Sequence, residues 1–526
     1  MLARVPDPKR WLVLLAVMLA FLPVVLDMTI LHVAVPRLTQ ALNASGIEVL
    51  WIIDIYPLLM AGLLVPMGTL SDRVGNRRIL LTGLVIFAGA STWAAFAQSA
   101  TELIAARMIL ALGGSMIMPC VLGLIRKTFE DEGERAMALG LWGTVGAAGA
   151  ALGPLVGGAL LEHFWWGSVF LINVPVMLVV APACWFLLPR NEQTTPGKWP
   201  IGQALLLIVG MISVVYSIKA GFGGKQPLPV VIMIMAFGVA VLTVFVRKQL
   251  RSASPMLDLS LLSHPAILAG LVMAIVASGA LAGVELTLAQ ELQYVLGKTP
   301  LQAGLFMIPI MAAAAIGGPV AGYPPNRFGL RAVASLWLLV AAGAVGVFGR
   351  QVFLKSLLVA AVALVFLAQS DFHDPGLSVP TALAVLGLTL SIGLTASSIA
   401  IMGAVEASKG GAAGSLEATG YELGTGLGIT FFGVFLSSVF SRAIELPVNL
   451  APELATEAAR SVGDTYIVAA RLAGAQGEAL IAAGKAAFTQ THAVLLTTSG
   501  VLITTLALVV FIALAGHGKE AGAQHH

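Results

Sequence analysis

Six ionisable side chains stand inside or at the start of long apolar runs: Asp27, Asp54, Arg107, Glu285, Glu417 and Glu422. A charge so placed costs about 2.5–3.5 kcal/mol on membrane-insertion scales, which makes each one a candidate for function. A carboxylate at such a depth can take up a proton or hold a cation. One that exchanges the first for the second couples proton movement to cation binding. Aromatic rings stand beside these acids: Trp51 and Tyr56 flank Asp54, and Tyr421 precedes Glu422. Ring faces attract organic cations, and Met60, Met116 and Met118 add polarizable surface nearby. The pattern predicts a site for lipophilic cations and protons. Plainer readings stand beside it: helix-to-helix hydrogen bonds for one or two of the acids, an interfacial position for Glu417, a membrane-belt tryptophan in Trp51 and ordinary filler in the methionines.

The elements that position these residues follow from composition. The chain has 526 residues, 58% hydrophobic and only 10% charged, with a mean hydropathy of +0.95. A soluble protein carries roughly 25% charged residues, and about 20 apolar residues make one membrane-spanning helix. Apolar spans are predicted at 11–36, 48–69, 79–98, 104–125, 136–161, 168–188, 200–219, 228–247, 265–290, 302–322, 331–349, 381–405, 417–441 and 490–514. The fold class is therefore an all-α polytopic membrane protein with fourteen spans. The segment 355–369 is also apolar, and reads as a further helix, a re-entrant piece or part of an overlong eleventh span.

Lys and Arg are concentrated in the N-terminus and every second loop, sixteen against four in the alternate loops, where Arg37, Lys219, Lys225 and Lys298 fall. That asymmetry places the N-terminus in the cytoplasm, and an even number of spans returns the C-terminus to the same side. Asp27 then lies about 24 Å up its helix and Asp54 about 9 Å below the outer start of the next, at similar heights. Glu285 falls about 30 Å along an outward helix, near the outer mouth, while Glu417 and Glu422 fall at the cytoplasmic end. The stretch from Arg442 to Lys485 is an outer loop with room for a small helical hairpin around 452–460.

No long soluble segment, basic tail or nucleic-acid-binding face is present in the sequence, and the formal net charge is only +3. Cys120 and Cys184 both sit in apolar runs, which supports neither a disulfide framework nor a metal site. A membrane-embedded enzyme would need a catalytic constellation at depth, and only His32 and His264 come close. His32 reads as a packing or hydrogen-bonding group. No cofactor is called for beyond a proton gradient, and the expected partners are cationic small molecules, protons and membrane lipids around a monomer. Export of a lipid or siderophore is the alternative within transport, and a non-transporting scaffold the alternative outside it. An acidic interior with one arginine speaks against an anionic substrate.

Glycine marks a close-packing face, read either as an interface that slides or as plain packing. Gly140, Gly143, Gly146, Gly149, Gly153 and Gly157 recur along the fifth span with Pro154 beside them, giving a smooth face for close helix approach and a kink.

These residues bear a family resemblance. Gly68, Asp72, Arg73, Gly75, Arg77 and Arg78 resemble the loop signature between the second and third helices of the major facilitator superfamily. The run ending in Arg107 is similar to its fourth-helix motif, without the glutamine that often follows. Gly149, Gly153, Pro154 and Gly157 resemble its antiporter motif, and Asp27 with Thr29 and Pro36 is similar to the first-helix motif of the fourteen-helix drug:proton antiporters. Trp51, Asp54 and Tyr56, together with Glu417, Tyr421, Glu422 and Gly424, resemble pumps exporting quaternary ammonium antiseptics, dyes and methyl viologen; so does the stretch around Glu285 and Glu291. The resemblance implies a secondary transporter of the bacterial inner membrane, not an enzyme. It implies two six-helix bundles, 1–198 and 251–526, with two extra helices at 199–250 between them and an outer loop at about 442–489. It further implies alternating access driven by proton re-entry, with Asp72, Arg73, Arg77 and Arg78 pairing on the inner side. The second-half loop 324–331 departs from the pattern in lacking the aspartate of its first-half counterpart.

Overall fold

The computed structural model describes residues 9–129, 131–190, 199, 201–223, 226–252, 255–322, 350–403, 410–472 and 474–515. Among them every regular element is helical. The first six are α1 (Lys9–Leu42), α2 (Gly46–Val74), α3 (Asn76–Ala95), α4 (Ala100–Thr128), α5 (Glu132–His163) and α6 (Ser168–Leu187). Then come α7 (Ile201–Gly223), α8 (Leu228–Arg251) and α9 (Pro265–Gln290), the last continued by a π-turn over Glu291–Val295. The remainder are α10 (Pro300–Phe306), α11 (Ile308–Gly322), α12 (Arg350–Ala368), α13 (Ser378–Gly403), α14 (Gly410–Ala443), α15 (Pro452–Ala458), α16 (Val462–Arg471) and α17 (Ala475–Ala515). Eleven of the described helices are long and apolar enough to cross a membrane, and α10 with α11, bent by 43°, makes a twelfth when counted as one span. Short connections make successive spans antiparallel, so the bundle has a near face, where α1 begins, and a far face.

Local chemistry sets the ends. Ser45 and Glu48 form a capping box that starts α2, and Thr299 and Gln302 form another that starts α10 with Pro300 in its first turn; both satisfy backbone N–H groups that an isolated helix end leaves bare. Helices begin or end beyond the apolar windows where polar residues dilute hydropathy without opposing helix formation. Thus α14 starts at Gly410 instead of 417, α17 at Ala475 instead of 490, and α9 with its π-turn reaches Val295 instead of 290. The segment 355–369 belongs to α12, which packs against α13 and α17. The span expected at 331–349 and the loop 324–331 lie outside the described residues.

The glycine face of α5 packs on α1. A side-chain carbon at Gly157 would stand 2.9 Å from the Ile30 carbonyl oxygen, so no larger residue fits at this spacing. Pro154 has no N–H to give the carbonyl of Ala150, and the Thr29 hydroxyl donates to that carbonyl at 2.9 Å instead. In the second half, α14 presents Gly424 and Gly428 to Ile275 and Gly279 of α9 with equal closeness. Helices α1–α6 meet α9–α17 toward the far face. There Gly158 abuts the Pro300 carbonyl, Gly426 abuts Leu58, and Gln293 donates to the Val33 carbonyl at 3.0 Å. Helices α7 and α8 pack on each other, and α7 also lies along α2 and α14.

On the far face α15 and α16 form the small hairpin expected around 452–460. Asp464 accepts from the Ser461 hydroxyl at 2.7 Å and from the Gly46 N–H at 3.3 Å, and the Tyr466 hydroxyl donates to the Tyr294 carbonyl at 2.5 Å. The hairpin is thus fastened to both the α1–α2 turn and the end of α9.

Candidate functional site

The predicted residues of the first half fall into two buried clusters. Asp27 of α1 pairs with Arg107 of α4, and the same guanidinium donates from Nε to the Ile52 carbonyl at 2.9 Å and from a terminal nitrogen to the Ile53 carbonyl at 3.3 Å. Its carbon sits 4.7 Å from the centroid of the Tyr56 ring. Tyr56 donates in turn to the Val24 carbonyl at 3.3 Å, and its hydroxyl lies where a side-chain carbon at Gly114 would be, 2.8 Å away. One arginine therefore ties α1, α2 and α4 together, using the planar fork of donors that lysine lacks.

Asp54 has a different cation. The Lys219 ammonium of α7 lies 2.7 Å from Asp54 Oδ1 and 2.6 Å from Oδ2, and the Thr430 hydroxyl of α14 donates to Oδ2 at 2.6 Å. The same ammonium stands 3.6 Å from the centroid of the Trp51 ring, which lies against Tyr216 at 6.4 Å. Trp51 is thus a cation-binding face, and a residue of the protein already occupies it. Counting charges in loops assigns Lys219 to a connection at the far face. It lies instead within α7, 1% exposed, because the helix runs on through the apolar residues that follow it. The interior of the described residues therefore holds two cations, Arg107 and Lys219, where the sequence reading has one.

The second half is arranged otherwise. Glu422 of α14 is 1% exposed, and among the described residues neither carboxylate oxygen has a hydrogen-bond partner. It lies within electrostatic reach of Tyr56, and Tyr421 lies within reach of both Glu422 and Glu285. Because α14 starts at Gly410, Glu422 is about 18 Å into the helix, deep in the bundle and not at the near end as expected. Glu417 is half-buried and accepts from the Ser398 hydroxyl at 3.2 Å. Glu285 is buried and not at the mouth of the bundle, since α9 and its π-turn continue beyond it. Its carboxylate faces His32 Nδ1 of α1 at 3.5 Å, which places His32 between the two halves.

A second acid–histidine pair went unpredicted. Glu291, in the π-turn, faces His492 of α17 at 3.7 Å and accepts from the Thr489 hydroxyl at 3.0 Å. Its signal was an acid one residue past the predicted end of a span, opposite a histidine two residues inside another. Among the described residues no group of three or more His, Cys, Asp or Glu could hold a metal ion.

The motif residues at the near face surround the α2–α3 turn. Gly75 adopts φ +107°, which favours glycine, and its N–H donates to the Ser71 carbonyl at 2.9 Å. Gly68 packs on Pro119. Asp72 and Arg78 are exposed, Arg73 is half-buried, and Arg77 donates to the Trp185 carbonyl at 2.8 Å with its guanidinium 4.8 Å from that ring's centroid. Arg77 therefore fastens the turn to the end of α6. A further near-face tie joins Arg10 to Glu134 at 2.5 Å, between α1 and α5.

Comparison with known proteins agrees with this architecture. The pattern of the Major Facilitator Superfamily matches residues 17–366. The chain is 43% identical over 507 residues to the methyl viologen resistance protein SmvA of Salmonella typhimurium, covering 96% of this chain and 99% of that protein. It is 34% identical over 508 residues to the multidrug efflux pump LfrA of Mycolicibacterium smegmatis, covering 96% of each. Among solved structures, a bacterial homologue of the human lysosomal transporter Spinster, inward-facing and unoccupied, superposes with a TM-score of 0.65 at 18% identity, over 96% of this chain and 98% of that one.

Proposed function

The chain belongs to the Major Facilitator Superfamily, a superfamily of membrane transporters and not enzymes, and from that premise we propose that it exports lipophilic organic cations in exchange for protons. The observation that carries the reading is Glu422, a buried carboxylate with both oxygens unpartnered among the described residues, within electrostatic reach of Tyr421 and Tyr56. A buried carboxylate without a partner is costly when charged. It has two ways out, a proton or a cation, and tyrosines within reach favour an organic cation over a hydrated metal ion. The names of SmvA, a methyl viologen resistance protein, and of LfrA, a multidrug efflux pump, support the same reading.

The order of events follows from which carboxylates are free. A cation reaching the bundle from the near face, taken as cytoplasmic from the charge asymmetry, meets Glu422 and Tyr421 first. Asp27 and Asp54 are engaged by Arg107 and Lys219, so each accepts a proton or a substrate only as its internal pair opens. The substrate leaves toward the far face as protons take its place, and those protons discharge into the cytoplasm when the bundle reopens inward. Both internal cations are committed to carboxylates, which leaves no described positive group at depth for an anionic lipid or siderophore. The two bundles and the inserted α7–α8 pair provide the rocking halves, with the protein in the bacterial inner membrane and both termini cytoplasmic.

Ethidium transport into inverted vesicles under a proton gradient tests the reading. Glu422→Gln, Asp27→Asn and Asp54→Asn are each expected to lose proton-driven transport. If all three transport like the parent, the assignment is wrong.

A further inference from the structure

Among the described residues Lys219 is the one buried cation of the α7–α8 pair, and its surroundings are those that suit an organic cation. Its ammonium has a carboxylate at 2.6–2.7 Å and an aromatic face at 3.6 Å. Those are the two contacts by which a protein recognises an organic cation. The ammonium is tethered by the flexible lysine stem, and Lys219 also lines a cavity of about 280 Å³ that opens toward the far-face hairpin. Ser437, Ser441 and Asp464 line the same cavity and offer oxygen acceptors to an ammonium that swings away from Asp54. Arg460, also on its wall, opposes a deep retreat, which confines the displaced group to the side of the cavity next to α14.

We propose that Lys219 is a built-in stand-in for the transported cation: it fills the Asp54–Trp51 site in the empty protein and is displaced into the adjoining cavity when an organic cation binds. The role of α7 against α2 and α14 is then to deliver this ammonium, which keeps Asp54 neutralised between substrates and sets the affinity a substrate must exceed. Thr430 holds the carboxylate in place for either occupant. The inference rests on the reading of the protein as an exporter of organic cations.

Amine-reactive labelling of the wild-type protein in detergent, read by mass spectrometry, tests the displacement directly. Saturating tetraphenylphosphonium is expected to raise labelling at Lys219 at least several-fold while exposed Lys248 stays constant. Unchanged labelling at Lys219 in protein that binds the probe overturns the proposal and leaves the export reading standing. Equilibrium binding of tetraphenylphosphonium gives a second readout. Lys219→Met is expected to bind about tenfold more tightly, with the gain lost in Lys219→Met/Asp54→Asn; Lys219→Arg, which keeps the charge and can bind the carboxylate with two donors, is expected to bind no more tightly than wild type. Tighter binding by Lys219→Arg, or none of the gain in a folded Lys219→Met, overturns the stand-in role. No binding by any form, wild type included, overturns the export reading together with this one.

Discussion

The two halves of the bundle treat their buried acids in opposite ways. In the first half Asp27 and Asp54 sit in ion pairs whose cations are also bound to backbone carbonyls or an aromatic face. In the second half Glu285 and Glu291 face histidines at 3.5 and 3.7 Å, Glu291 also accepting from the Thr489 hydroxyl, and Glu422 has no hydrogen-bond partner among the described residues. A paired acid holds structure and resists a change of charge, because its partner would be left buried and alone. An unpaired one changes its charge at little structural cost. The difference separates two electrostatic settings: the first half encloses its acids in ion pairs, and the second half leaves Glu422 without one among the described residues.

The most damaging way to break this comparison is Arg107→Leu, which strands Asp27 and bares two carbonyls of α2. It is expected to cost about 3–5 kcal/mol, seen as early loss of the monodisperse peak on heating in detergent, with part of the loss recovered in Arg107→Leu/Asp27→Asn. A double variant no more stable than the single would show that the pair is not what Arg107 holds. Glu422→Gln should do the reverse. Thermal stability stays within about 1 kcal/mol of the parent, while proton-driven ethidium transport falls about tenfold or more, the equivalent of some 1.4 kcal/mol in barrier. A Glu422→Gln protein that melts early would put Glu422 in the same structural class as Asp27.

Smaller effects sharpen the boundary between the halves. Thr430→Val removes one hydroxyl from Asp54 and is expected to cost about 1 kcal/mol, measurable in the same melting assay. No change would mean that Lys219 alone satisfies the carboxylate. The least effect concerns the far-face hairpin. Burial pushes the Asp464 carboxyl above its ordinary range, against the opposing hydrogen bonds from Ser461 and Gly46. With the folded value raised, the contribution to docking is complete below the ordinary carboxylate range and is lost as pH rises through the raised value. Hydrogen exchange at 462–471 should therefore quicken with pH across that window beyond the intrinsic base-catalysed rise, and Asp464→Asn should flatten the excess.

Much of this was legible in the sequence, and the parts that were not share a cause. Helices announce themselves by runs of apolar residues, so nearly every described span lay where hydropathy put it. The glycine spacing of α5 likewise announces a close partner. Pairing across the bundle leaves no such local trace. Lys219 lies far from Asp54 in sequence and close to the end of an apolar run, where a window cannot separate a buried lysine from a loop lysine. Only the geometry brings it to Trp51. Glu291 and His492 escaped for the same reason at the ends of their helices. Glu422 was found as a candidate, yet its depth was misjudged because the small and polar residues ahead of it hid the first turns of α14. Identity of residue was readable; partnership was not.

The bond from the Thr29 hydroxyl to the carbonyl freed by Pro154 has one more consequence. It acts as a pin through two shafts, joining α1 to α5 one turn before Pro154. Asp27 is two residues from that pin, and the outer part of the same α5 bears on Pro300 and Gly304 of α10. The Asp27–Arg107 pair, the pin and the α5–α10 contact thus lie along one continuous path of packed groups. The path joins a carboxyl group deep in the first half to the first helices of the second.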